Sequence, residues 1–255
     1  MHYIFPAAGL GKRFRDNGFQ IPKPLIRVHG IALLVWAISN FPIKKHDQIW
    51  IISQKDHEIA DYLKLEFPQL HQKCMFVTID EITDGPATTV SLVAQKIQNN
   101  EPITIANTDQ YVFRDLSEFT EISRNKRVCG SILTMEAMGN QWSYITKNLI
   151  GDVKYVVEKK QISNEATVGV YGFKTSASFM RAYSRMREVK DTVNNEFYVA
   201  PMFNYLIEAN CKIVAHNIGK IDLEVFGTGT PADLSRFEQD LRLLEISKEV
   251  KKQWT

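Results

Sequence analysis

Three cations and two glycines near the start of the chain are the first residues whose spacing suits chemistry. An apolar run, Tyr3-Ile4-Phe5, breaks into Ala7-Ala8-Gly9-Leu10-Gly11, and Lys12 and Arg13 follow at once. Ten residues after Arg13 stands Lys23, between Pro22 and Pro24. A glycine turn at a strand end lets backbone N–H groups approach phosphate oxygens, and cations behind it neutralise the charge. Two prolines restrict the backbone around Lys23, a rigidity that a lysine serving only solvent does not need. Such a cradle calls for an acid. Asp109 closes Asn107-Thr108-Asp109, directly after the apolar run 103–106. A carboxylate at a strand end facing a phosphate cradle suits Mg²⁺, which takes one or two carboxylates plus phosphate oxygens. Taken singly, Asp109 reads as a turn residue and the glycines as a tight strand–helix turn; taken together, they read as one site.

To meet, residues 9 and 109 need a common frame. Apolar strands are expected at Ile49–Ser53, Cys74–Ile79 and Ile103–Ala106, with helices over Ala32–Phe41, Asp56–Phe67 and Pro86–Asn99. This strand–helix alternation predicts an α/β fold, a Rossmann-like arrangement with a mainly parallel central sheet flanked by helices. Ligands of such sheets sit beyond the carboxyl ends of the strands, where both residues fall. The second half is richer in strands, at Val128–Met135, Tyr155–Glu158, Ala166–Phe173 and Lys212–Ile218, with helices over Thr175–Arg187 and Asn195–Ala209. The sheet is therefore expected to be mixed, with an antiparallel extension. Thr230-Pro231-Ala232-Asp233 is a capped helix start, followed by one apolar stripe of Leu234, Phe237, Leu241 and Leu244.

The 255 residues carry a net charge of +2 without a block of like charge, which argues against a nucleic-acid partner. No linker composition divides the chain. One domain over 1–255 is expected, with a nucleotide-binding half of about 1–125 and an acceptor-binding half of about 126–255. Cys74, Cys129 and Cys211 lie far apart and read as buried small apolar residues in a reducing compartment. The six histidines are scattered and lack metal-ligand spacing. No apolar run reaches the ~20 residues of a membrane span and no leader is visible, so a cytoplasmic protein with no membrane partner is expected. The glycine loop is not GxxxxGK[ST], which excludes the nucleoside-triphosphatase loop. Phe14 stands where a dinucleotide fingerprint needs its third glycine.

Gly9-x-Gly11-x-Arg13 followed by Pro22-Lys23-Pro24-Leu25 resembles the signature of nucleotidyltransferases that activate sugar phosphates and related small phosphates. The likeness takes in glucose-1-phosphate thymidylyltransferases, phosphocholine-type cytidylyltransferases and capsule-pathway cytidylyltransferases with phosphoglutamine-like acceptors. Asp84-Gly85-Pro86-Ala87, Asn107-Thr108-Asp109, Val157-Glu158-Lys159, Ile162–Tyr171, Asn195–Tyr198 and Gly229–Leu234 follow in the family's order. The resemblance implies that Gly9, Gly11, Lys12 and Arg13 hold the triphosphate and that Lys23 meets the α-phosphate or the acceptor phosphate. Ala7, Ala8 and Gly85 would meet the nucleotide's base and sugar, and Asp109 would bind Mg²⁺. Asn107, Glu158, Lys159, Asn164 and Glu196 would line the acceptor pocket. Arg13 and Lys23 would be the catalytic cations, and the protein a monomer or homodimer serving capsule or surface-polysaccharide synthesis.

Two departures stand out. Many relatives carry a second metal-binding Asp before the last helix; here Phe226-Gly227-Thr228-Gly229-Thr230 puts Gly227 there. Either Asp109, phosphates and water suffice, or Asp222 or Glu224 substitutes, or the chain is a non-catalytic nucleotide-binding relative. Where thymidylyltransferases place Tyr-Gly against the sugar, this chain has Trp142-Ser143-Tyr144. Two readings stand: the rings cover an acceptor other than a hexose-1-phosphate, or they are a core pair. Ala7-Ala8-Gly9 in place of a Gly-Gly pair favours CTP, with UTP and dTTP as alternatives.

Overall fold

The computed structural model describes residues 1–125 and 127–255. Its centre is a nine-stranded sheet. In chain order the strands are β1 (His2–Pro6), β2 (Gln48–Gln54), β3 (Cys74–Ile79), β4 (Ile103–Ala106), β5 (Gly130–Glu136), β6 (Tyr144–Lys147), β7 (Val153–Val157), β8 (Glu165–Phe173) and β9 (Ile213–Lys220). β1 pairs in parallel with β2 and β4, and β2 with β3. β8 then runs antiparallel to β4, β5 and β6, and β9 lies parallel to β5. The parallel half and its antiparallel extension are thus those expected from the sequence.

Both faces of the sheet are covered, as βαβ crossovers require. Side-chain alternation divides β1 between two cores: Tyr3 and Phe5 pack on one face, and Ile4 on the other. The helices Leu33–Ser39, Ile59–Glu66, Pro86–Ala94 and Ser176–Val189 fall within or beside the expected stretches. Thr175 caps the last of these by accepting from the Ser178 N–H at 3.0 Å.

Three expectations need correction. No helix starts at Asn195. Asn194 and Asn195 adopt left-handed φ of 53° and 63°, short polar side chains that tolerate such a turn, and the helix covers only Met202–Glu208. The final stripe does not lie on one helix. Pro231–Glu238 buries Leu234 and Phe237, but the chain breaks and restarts as Arg242–Trp254. In the break, Asp240 accepts from the Arg242 N–H at 2.9 Å. Leu241 is 78% exposed and Leu244 45%, while Leu243, Val250 and Trp254 face the core. The three cysteines are free thiols, but half-buried rather than buried. Among the described residues, no helix is long and apolar enough to cross a membrane.

Candidate active site

β1 ends at Pro6, and the glycine loop leaves the sheet beyond it. Gly11 adopts φ +59° as the cap of the short helix Lys12–Arg15, and a Cβ there would stand 3.1 Å from the Lys23 Cβ. Glycine is thus required both for the left-handed turn and for the approach of Lys23. Among the described residues, the backbone N–H groups of residues 8–13 make no hydrogen bond. They are unspent donors at the mouth of a cavity of about 450 Å³ lined by Ala7, Gly9, Gly11, Lys12, Arg13 and Lys23.

Asp109 follows β4, the neighbour of β1. Lys23 Nζ donates to Asp109 Oδ2 at 2.9 Å, so the cation of the proline-braced segment and the acid of the next strand meet. The Asp109 Oδ1 atom is buried without a hydrogen-bond partner. Among the described residues, no cluster of three His, Cys, Asp or Glu side chains is placed to hold a metal. The local chemistry is therefore one carboxylate with one oxygen to spare.

A second cavity, of about 970 Å³, lies on the other side of this pair and includes Trp142, Glu158 and Lys159 in its wall. Arg13, Pro86, Asn107, Asp109 and Gly229 line both cavities. Asn107 reaches the wall because Gly169, at φ +83°, leaves room: a Cβ there would stand 2.4 Å from Asn107 Nδ2 and 2.5 Å from Gln110 Oε1. Ser143 Oγ donates to the Glu158 carboxylate. Burial pushes the Glu158 carboxyl above its ordinary value, more than Ser143 and Lys159 pull it down. Tyr198 bridges Lys159 and Glu196, accepting from the first and donating to the second.

Four sequence-predicted residues do not line either cavity. The Ala8 carbonyl accepts from Gln54 Nε2 at 2.7 Å. Gly85 lies at φ +134° against the Phe197 backbone, where a Cβ would stand 2.4 Å from the Phe197 nitrogen. Asn164 is exposed, and its carbonyl accepts from the Ala137 N–H at 3.2 Å. Tyr144 is fully buried in the core with its hydroxyl donating to the Gly139 carbonyl at 2.7 Å; of the aromatic pair, only Trp142 reaches the cavity. Glu196, expected beside the acceptor, lines the smaller cavity.

Of the acids considered in place of Gly227, Asp222 lines the larger cavity, 3.7 Å from Arg236 Nε. Glu224 is held by the Lys220 N–H at 2.8 Å and by Arg114 at 3.2 Å, away from it. A Cβ at Gly227 would meet only Trp142, at 3.6 Å. Gln110 escaped sequence reasoning. It starts a short strand, Gln110–Val112, paired with Val225–Gly227, and neither run is apolar or long enough to signal itself.

A sheet of this topology, with a donor-rich glycine loop facing an acid from the adjacent strand, defines a nucleotide-handling α/β protein. The nucleotidyl transferase family model matches residues 4–208, and the chain belongs to that family. No curated protein matches the chain. Among solved structures, the nucleoside-diphosphate-sugar pyrophosphorylase from Vibrio cholerae RC9 is similar, with 24% identity and a TM-score of 0.78 over 94% of this chain and 100% of that one. UDP-glucose pyrophosphorylase complexed with UDP-glucose has 18% identity and a TM-score of 0.76, covering 94% and 99%. The inositol-1-phosphate CTP transferase from T. maritima has 14% identity and a TM-score of 0.73, covering 100% and 97%. These likenesses establish the shared fold.

Proposed function

We propose that the chain transfers a nucleoside monophosphate from a nucleoside triphosphate, with CTP favoured, to the phosphate of a small phosphorylated acceptor. Pyrophosphate is the second product. The observation that carries this reading is the Lys23–Asp109 pair, standing at 2.9 Å, with Asp109 lining both a cavity rimmed with free N–H groups and a larger one. The triphosphate would lie along Gly9, Gly11, Lys12 and Arg13. The acceptor would lie beside Asn107, Trp142, Glu158 and Lys159.

An ionised oxygen of the acceptor phosphate attacks the α-phosphorus in line. The bond to the bridging oxygen breaks, and pyrophosphate leaves with the electron pair. Since the nucleophile is already an anion, no general base is needed, and catalysis is positioning plus charge neutralisation. By analogy with an oxyanion donor, losing Arg13 or Lys23 costs on the order of 10²–10³ in rate, about 3–4 kcal/mol. The unpartnered Asp109 oxygen suits Mg²⁺, which would supply further neutralisation of phosphate charge.

The run Ala7-Ala8-Gly9 in place of a Gly-Gly pair supports CTP by resemblance, and the cytidylyl relative named above shares the fold. Trp142, packed at the position facing Gly227, supports an acceptor other than a hexose-1-phosphate: a phosphocholine-like, polyol or amino-acid phosphate, in a cytoplasmic route to a surface polysaccharide. Pyrophosphate release with CTP, UTP, dTTP and GTP against a panel of such acceptors tests this. CTP with a non-hexose acceptor is expected to be fastest. UTP or dTTP with a hexose-1-phosphate winning instead would make the chain a sugar-1-phosphate uridylyl- or thymidylyltransferase. Gly227 favours one second reading, a nucleotide binder without turnover; nucleotide binding with no pyrophosphate from any pair would establish it. Asp109→Ala is expected to lose Mg²⁺-dependent turnover without unfolding the chain, and full activity would place the metal elsewhere.

A further inference from the structure

Free N–H groups bind an anion only if they point at it. The parallel ladder of β1 and β2 runs from His2↔Gln48 to Pro6↔Ile52, and the Ala7 N–H still donates to the Ile52 carbonyl at 2.7 Å. Beyond this the chain has left the sheet. The next carbonyl, that of Ala8, is taken by a side chain: Gln54 Nε2, from the last residue of β2, donates to it at 2.7 Å. The Ala8–Gly9 peptide is trans, so its C=O and N–H point in opposite directions. Gly9 lines the smaller cavity, and Gln54 does not.

We propose that Gln54 is a positioning residue of the phosphate loop, which holds the Ala8 carbonyl away from the cavity and thereby aims the Gly9 N–H into it. The inference rests on the nucleotide reading of that cavity.

Among the described residues, no other hydrogen bond holds this peptide. Ala8 is buried, but a Cβ on Gly9 would meet no atom within 4 Å, so the glycine side is open, and glycine itself imposes little preference. Were Gln54 lost, the Ala8–Gly9 peptide would be free to turn over. It would then present a carbonyl oxygen to the phosphates, exchanging attraction for repulsion.

Inorganic tripolyphosphate supplied with Mg²⁺ is a probe that reads the loop without the base, and titration calorimetry measures it. Gln54→Leu is expected to bind tripolyphosphate about tenfold more weakly than the wild type, or about 1.4 kcal/mol. Gln54→Lys, which keeps a donor at the end of a long side chain, is expected to recover most of the loss. In turnover assays the nucleotide KM should rise with the binding loss while the acceptor KM and the melting temperature stay put. Equal binding by wild type and Gln54→Leu, or a Gln54→Lys variant as weak as Gln54→Leu, overturns the inference. If Gln54→Leu does not fold, the Gly9 amide resonance of the wild type decides. It should move on tripolyphosphate addition, and a fixed resonance overturns the proposal. A wild type that binds no tripolyphosphate would sink the nucleotide reading itself, and this inference with it.

Discussion

At the scale of single residues, the glycine loop and Asp109 were legible as neighbours because each follows a strand end of one parallel sheet; the direct pairing of Lys23, on the turn Lys23–Leu25, with Asp109 was not. Nor was the place of Tyr144. Ser143, just before the strand, turns to Glu158 at the cavity, while Tyr144 opens the strand and packs into the core. Trp142 also precedes the strand and lines the cavity. Glu158 carries the residue-scale prediction. Its folded-state carboxyl holds its proton more tightly than the unfolded chain does, so stability falls as pH rises from the ordinary carboxylate range through the raised value. Glu158→Gln removes that loss and still accepts from Ser143. It should be the more stable protein at neutral pH, the difference disappearing in acid, while its acceptor KM rises and ceases to depend on pH. Urea midpoints and initial rates across pH check both; a variant less stable than wild type at neutral pH contradicts the assignment.

At the scale of elements, the segment around Asp84–Ala87 and the segment around Phe197 are clamped together. The Phe197 N–H donates to the Asp84 carbonyl at 2.8 Å, and the Ala87 N–H to the Phe197 carbonyl at 3.0 Å. Arg187 pairs with Asp84 and sits 4.5 Å over the Phe197 ring. Gly85 is the contact point, so its requirement is steric rather than a matter of touching a base. Gly85→Ala places a methyl into the Phe197 backbone at a φ of +134°. It should cost roughly 2–4 kcal/mol of stability, measured by urea unfolding, and lower activity with it. Unchanged stability would mean that the clamp yields. The clamp was illegible because its two segments, around residues 84–87 and around residue 197, are far apart in the sequence. Apolar runs such as Ile49–Ser53 announced themselves by contrast, being too apolar to lie anywhere but between two covered faces.

At the scale of the whole molecule, the sheet runs through both halves of the chain. β8 pairs with β4 from Val170↔Ala106 to Phe173↔Ile103, so neither half holds a complete sheet by itself. Trp36 lies in one core and Trp50 in the other. Tryptophan fluorescence and far-UV circular dichroism should therefore report a single coincident urea transition. Two separated transitions would mean that the nucleotide-binding and acceptor-binding halves fold as independent units.

The pairing of Lys23 with Asp109 also sets a condition on what is admitted. A simple anion arriving alone must draw Lys23 away and strand a carboxylate that already has one oxygen without company, which is costly in a partly buried place. An anion escorted by its own divalent ion offers Asp109 a replacement in the same event. On the proposed function, the pair would act as a coincidence detector, resisting free phosphate and yielding to a ligand that brings both signs of charge together.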